Sequence, residues 1–269
     1  MGCRDTILDE NREYWTGRAS GYSEVNRQEL STGQRKKWKA CLREELVRHF
    51  PERAMEDLRV LEVGTGPGFF AILLRELGCC VTAVDLTPAM LAAAKENAGP
   101  LADEIHFVEM NAEALEFADE SFDAVISRNL TWNLPHPDRA YREWARVLKP
   151  GGLLLNFDAN WYAYLFDGTA REAYDRDRAN SAELGVWDQN IGAEGENFDV
   201  MEDIARRVPL SAVRRPAWDL GLLSGLGLCC SADEQIWQRV WSEAEKLNFS
   251  STPLFLVRPG KPGKQAEES

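Results

Sequence analysis

The sequence predicts a doubly wound α/β fold. Three observations lead there: apolar runs alternate with amphipathic stretches, most of those runs are near-continuous, and one of them enters a glycine-rich turn. Strands buried on both faces of a sheet read as unbroken apolar runs, whereas half-exposed strands alternate. Helical stretches set between such runs place helices on both faces of the sheet.

The first 55 residues are polar and helix-prone, with Tyr14, Trp15, Tyr22 and Trp38 interspersed. Five strands follow, at 58–63, 80–84, 105–108, 122–126 and 153–157. The helices between them, at 69–77, 88–97 and 138–148, end in Gly78, Gly99 and Gly151-Gly152. Glycine just past a helix supplies the left-handed turn that closes it. Residues 161–215 are rich in acidic and aromatic groups and contain no strand-like run. Strands at 228–231 and 253–257 then flank a helix at 233–247, and 259–269 read as a disordered tail. The chain thus divides into an N-terminal helical segment (1–55), a core (56–160), an insertion (161–215), the rest of the core (216–258) and the tail.

A chain of 269 residues allows one large domain with insertions and a core that needs no staples. Its 44 acidic against 31 basic residues leave a net charge of −13. A protein that tracks nucleic acid needs an extended basic face. The one dense basic cluster, Arg35-Lys36-Lys37-Trp38-Lys39, reads as a solvated helix face. No nucleic-acid partner is expected. No apolar run approaches the ~20 residues of a membrane span, and no signal-peptide segment appears. A cytoplasmic location without membrane attachment is therefore expected, as a monomer or homodimer. The six cysteines have neither zinc-site nor Cys-x-x-Cys spacing, so buried reduced thiols and no metal are expected.

The sharpest local signal is Val60-Leu61-Glu62-Val63-Gly64-Thr65-Gly66-Pro67-Gly68-Phe69. Glycines are needed where the backbone turns tightly and a ligand must approach without a β-carbon in the way. Asp85 ends the next strand, where a carboxylate can accept hydrogen bonds from both ribose hydroxyls of an adenosine. The dinucleotide fingerprint G-x-G-x-x-G fails here, because Phe69 stands three beyond Gly66.

The spacing Glu62-x-Gly64-x-Gly66-x-Gly68 resembles motif I of the class I S-adenosylmethionine-dependent methyltransferases. The resemblance runs on through Asp85-Leu86-Thr87-Pro88-Ala89-Met90-Leu91, Asn111-Ala112-Glu113-Ala114-Leu115, Ser121-Phe122-Asp123-Ala124-Val125 and Leu148-Lys149-Pro150-Gly151-Gly152. It covers about 56–160 well and is greatest toward the small-molecule branch with the ubiquinone and menaquinone methyltransferases. It implies a Rossmann-like, seven-stranded sheet with N-terminal helices closing over S-adenosylmethionine and a helical substrate lid after the fifth strand. It also implies that Gly64, Thr65 and Gly66 meet the methionine moiety and that Glu62 orients the ammonium. Asp85 would hold the ribose, with Leu86 and Met90 on the adenine and Asn111 and Ala112 at its edge. Arg128 would lie beside the sulfonium, and Tyr22 would reach the cofactor or acceptor. At 111 the family usually has aspartate; an asparagine carbonyl can still accept, without the charge assistance.

For the acceptor side, Asn129, Trp132, Asp158 and Tyr162 lie near strand ends, where open α/β sheets bind ligands. Tyr14, Asn129, Trp132, Trp161 and Tyr162 are the expected substrate contacts. Asn129, His136 and Tyr162 are the candidate catalytic groups, although His136 between two prolines also reads as a turn residue and Asp138 as a helix cap. The Asn/Asp-Pro-Pro-aromatic tetrad of base-amino methyltransferases is replaced by Asn129-Leu130-Thr131-Trp132. The expectation is methyl transfer to a small organic molecule. The alternatives are aminocarboxypropyl transfer from the same cofactor, a non-catalytic cofactor-binding regulatory module, and a nicotinamide oxidoreductase.

Overall fold

The computed structural model describes residues 3–186 and 198–263. Two helices, α1 (Cys3–Ser31) and α2 (Gly33–His49), precede an alternation of β1 (Arg59–Val63), α3 (Phe69–Glu76), β2 (Cys80–Asp85), α4 (Pro88–Ala98), β3 (Ile105–Glu109), β4 (Phe122–Arg128), α5 (Pro137–Val147) and β5 (Leu148–Asp158). The insertion carries α6 (Gly168–Glu183) and α7 (Phe198–Ala205). The core resumes with α8 (Ala217–Gly225), β6 (Cys229–Asp233), α9 (Trp237–Val240), α10 (Glu243–Asn248) and β7 (Phe255–Gly260).

The seven strands form one Rossmann-like sheet in the order β3-β2-β1-β4-β5-β7-β6. The first five run parallel, and β7 slots antiparallel between β5 and β6. The direction in which successive strands are added reverses between β1 and β4, which opens a crevice at their carboxyl ends. Each face of the sheet carries its own apolar layer. Trp38, Leu42, Leu46, Phe70, Leu73 and Phe157 lie in one, and Tyr141, Trp144, Val125 and Leu154 in the other.

Four expectations need correction. The single helix at 233–247 is two short helices: Asp233 ends β6, and Ser242 opens α10 with a reciprocal capping box to Glu245. Ser242-Glu243-Ala244-Glu245 carried that start signal in the sequence. The tail begins later than 259, because β7 runs through Gly260, opposite Leu153 and Cys229, and Lys261 bonds the Gly152 carbonyl. Residues 264–269 lie outside the described ones. Of the cysteines, Cys41 and Cys79 are buried, and burial pushes both thiols up to about 12, whereas Cys80 and Cys229 are exposed at the starts of their strands. The basic cluster on α2 is a docking device: Arg35 and Lys39 pair with Glu76, Lys37 donates to the Trp241 carbonyl, and Trp38 is buried.

Candidate active site

The glycine loop is built by its backbone. The Gly64 and Thr65 amides both donate to the Val84 carbonyl at 2.9 Å, folding the chain back over the end of β2. Gly64, Gly66 and Gly68 all have left-handed φ, at 71°, 51° and 89°. At Gly64 a β-carbon would come within 2.7 Å of the Leu130 side chain, and at Gly68 within 3.0 Å of Ala94. Both conformation and space exclude side chains there.

Two carboxylates frame this loop. Asp85 accepts the Gly66 amide on Oδ2 and the Thr87 amide on Oδ1, each at 2.9 Å. Burial pushes its carboxyl up, against those N–H groups. Glu62, beneath the loop, accepts the Thr65 hydroxyl at 2.6 Å, and burial pushes it up to about 8. A buried carboxyl of that kind is poised to ionise when a cation arrives beside it.

A cavity of about 950 Å3 opens at the carboxyl ends of β1, β2 and β4, under α1. Every residue expected to touch the cofactor lines it: Tyr22, Glu62, Gly64, Thr65, Gly66, Asp85, Leu86, Met90, Asn111, Ala112 and Arg128. Two of them are engaged differently from expectation. Arg128 is committed to Glu29 of α1 through two 2.9 Å hydrogen bonds and stacks over Phe69, Phe70 and Trp38. Burial opposes its charge, but Glu29 holds it above the ordinary guanidinium range. Asn111 accepts the Glu113 amide on Oδ1 at 2.9 Å, a side-chain turn of the kind asparagine favours.

Helix α1 roofs the cavity, and of the residues it contributes the sequence reading missed all but Tyr22. Leu8, Asn11, Arg12, Trp15, Tyr22 and Asn26 all line it. Their spacing is one stripe of a helix, and that periodicity was the available signal. The roof is fastened by Asn133, whose carbonyl accepts Asn11 Nδ2 at 2.9 Å and whose Oδ1 accepts Trp15 Nε1 at 3.1 Å. An Arg12–Glu109 ion pair at 2.6 Å fastens it further. Tyr14 is off the stripe and lines neither this cavity nor the next; it packs edge-on to Trp15 against the apolar cluster around Trp132.

A second cavity of about 730 Å3 adjoins the first. Trp15, Tyr22 and Asn129 line both. Trp132, Trp161, Tyr162, Tyr164, Tyr174 and Glu202 complete its lining, so four of the five expected substrate contacts meet there, joined by Trp15, Tyr22, Tyr164, Tyr174 and Glu202. Asn129 sits in the left-handed region at φ 55°, and its Oδ1 is buried with no partner among the described residues. Burial pushes the Tyr162 hydroxyl well up, making it a donor rather than a general base. His136 lines neither cavity: it is the residue before α5, its amide donating to Glu113 at 2.6 Å, and Asp138 lies in that helix's first turn rather than at its cap. Of the insertion's other aromatics, Phe166 faces solvent, and Trp187 lies outside the described residues.

Residues 61–156 match a methyltransferase-domain family model. The ubiquinone/menaquinone biosynthesis C-methyltransferase UbiE of Bartonella tribocorum is 35% identical over 201 residues, covering 71% of this chain and 72% of that protein. This chain belongs to the class I S-adenosylmethionine-dependent methyltransferases. The UbiE of Nitrobacter hamburgensis is 40% identical over 131 residues, and the chain spans about half of its length. Among solved structures, a putative sarcosine dimethylglycine methyltransferase from Galdieria sulphuraria shares the fold, with a TM-score of 0.54, 16% identity and coverage of 84% of this chain and 85% of its own. Geranyl diphosphate C-methyltransferase from Streptomyces coelicolor does so with a TM-score of 0.52, 15% identity and coverage of 82% and 77%. The methyltransferase therefore uses S-adenosylmethionine, and the first cavity suits it: left-handed glycines for close approach, a buried carboxyl under the loop, and a second carboxylate at the end of β2. Among the described residues, no group of three or more metal-ligating side chains forms, and no helix is long and apolar enough to cross a membrane.

Proposed function

We propose that this methyltransferase methylates a small organic molecule held in the aromatic cavity lined by Trp132, Trp161, Tyr162 and Tyr164. The observation that carries this reading is the shared wall: Trp15, Tyr22 and Asn129 border both cavities, so a ligand in one abuts a ligand in the other. In-line methyl transfer requires that alignment, and a pocket walled by aromatic side chains suits a small organic acceptor. The bound cofactor supplies an electrophilic methyl group on a sulfonium. Around it, Asp85 would accept the ribose hydroxyls, Glu62 the ammonium, and Leu86 and Met90 would flank the adenine, with Ala112 and Asn111 at its edge. Arg128, paired with Glu29, would hold α1 down over the site rather than contact the sulfonium. No side chain in the second cavity is placed as a strong base, so the acceptor atom would react with its own lone pair or as an already activated carbon.

Transfer of radiolabelled methyl from S-adenosylmethionine into a metabolite extract tests this. The expected outcome is label in a small compound, with S-adenosylhomocysteine as coproduct. Label confined to protein or nucleic acid would sink the small-molecule reading, and methylthioadenosine as coproduct would replace methyl by aminocarboxypropyl transfer.

A further inference from the structure

The second cavity combines features that select a particular chemistry. Besides Asn129 and Glu202, its lining holds seven aromatic side chains: Trp15, Tyr22, Trp132, Trp161, Tyr162, Tyr164 and Tyr174, the last stacked on Tyr164 at 4.1 Å. Trp132 and Tyr162 lie 4.9 Å apart with their planes tilted 32°, presenting adjoining π faces. Among the described residues, the one carboxylate side chain in the lining is Glu202, and no lysine, arginine or histidine lines it. Glu202 Oε1 accepts the Tyr164 hydroxyl at 2.9 Å, and each carboxylate oxygen can accept again. At the border with the cofactor cavity, the buried Oδ1 of Asn129 has no partner among the described residues, so the groups that ask for a ligand there are an acceptor oxygen, a carboxylate and ring faces. Ring faces and carboxylates attract cations, most of all where water is excluded.

We infer that the methyl acceptor is an aliphatic amine, bound with its nitrogen among the ring faces between Asn129 and Glu202. This rests on the proposed function and narrows it to nitrogen. The cations nearby do not cancel the preference. Arg206, which pairs with the outer oxygen of Glu202, and Arg171, over Tyr164 and Tyr174, are 48% and 52% exposed and lie outside the lining. Arg178 caps Tyr174 on α6 and also lies outside it. Arg18 of α1, which acts on Tyr162, lies outside the lining too. Solvent screens the two exposed guanidiniums, Arg171 and Arg206. Trp161 Nε1, buried and without a partner among the described residues, offers a donor for an oxygen elsewhere on the same molecule. In the reaction a protonated amine first gives its proton to water. The nitrogen lone pair then forms the N–C bond while the S–C bond breaks and its pair stays on sulfur. A tertiary amine leaves as a quaternary ammonium, charged and held by the same rings.

The test uses the full-length protein saturated with S-adenosylhomocysteine, titrated with choline and with its uncharged isostere 3,3-dimethylbutanol. Choline is expected to bind about tenfold more tightly, the span of a desolvated cation–π contact. Glu202→Gln should remove most of that margin, leave the isostere within about twofold, and leave S-adenosylhomocysteine affinity unchanged. Tyr162→Leu, which removes a ring face from the same lining, provides a second variant should Glu202→Gln fold poorly, with the same direction expected. Equal or tighter binding of the isostere, or no binding of either ligand, overturns the amine assignment. The labelled-methyl experiment separates this from failure of the broader reading, since label on a carbon or oxygen of a small compound rejects the amine and keeps the small-molecule acceptor.

Discussion

A β-carbon on Gly64 would sit 2.7 Å from Leu130 Cδ2 on a backbone held at φ 71°, whereas one on Gly66 would meet nothing nearer than Tyr22 at 3.5 Å. Gly64→Ala should therefore destabilise by about 1–3 kcal/mol in urea unfolding, and Gly66→Ala by less. Asp85→Ala removes an acceptor whose other partners are backbone amides of the loop itself. It should weaken S-adenosylhomocysteine binding by about 1.5–3 kcal/mol, read by calorimetry; an unchanged affinity would remove Asp85 from the site. Glu62 gives a pH signature. Its carboxyl titrates near 8 in the fold and near its ordinary value of 4.5 in the unfolded chain. Its contribution to stability is then complete below about pH 4.5 and is lost as pH rises through about 8. A ligand ammonium beside it favours the ionised form, so binding at pH 7 should release a proton, seen as a dependence of binding heat on buffer ionisation, and Glu62→Gln should abolish it. These residues were legible in the sequence because the constraints on them are local: a turn that only glycine can make, and an acid fixed at a strand end.

The insertion shows the opposite case. It leaves the core at Asn160 and returns at Arg215, and those two residues are clasped by reciprocal hydrogen bonds at 3.0 and 3.2 Å. The Arg215 guanidinium is fully buried, bonding Asp158, Asp219 and Thr131, while Asp158 also accepts the Trp132 amide. Arg215→Ala would leave two buried carboxylates without their cation and should cost about 3–5 kcal/mol in urea unfolding. A loss under 1 kcal/mol would mean that the clasp is not what holds the insertion. No local pattern announces this network, because its members are brought together from three separate stretches of chain; Asp158 was visible only as a strand-end acid, and Arg215 and Asp219 not at all. The aromatics fared between these extremes. Their position after the fifth strand was readable, but their separate duties were not: Tyr162 faces the cavity and Trp132, whereas Trp161 also packs on Phe249. Tyr162→Ala should accordingly raise the acceptor KM with little change in S-adenosylhomocysteine affinity. Trp161→Ala should add a loss of stability. On α1, helical phase decides: Trp15 and Tyr22, seven residues apart, face the site, and Tyr14 does not.

The sheet order β3-β2-β1-β4-β5-β7-β6 gathers these pieces at one end of the strands, and S-adenosylmethionine or S-adenosylhomocysteine should raise the melting temperature by mass action. NADH should not; a shift with NADH alone would contradict the fit of the first cavity. The alternation of strands and helices conveyed this architecture from sequence, but the antiparallel insertion of β7 and the break before α10 depend on pairing across distant segments. One further consequence follows from the wall that Trp15, Tyr22 and Asn129 present to both cavities. Two ligands that press on the same side chains cannot bind independently. By thermodynamic reciprocity, whatever factor the first adds to the affinity of the second is returned in full. Two of the three residues ride on α1, the helix latched through Asn133, Glu109 and Glu29. Ordering that helix once, for the first ligand, spares the second the same entropic cost. On the proposed function, cofactor and acceptor would thus bind cooperatively in whichever order they enter, through a single shared surface.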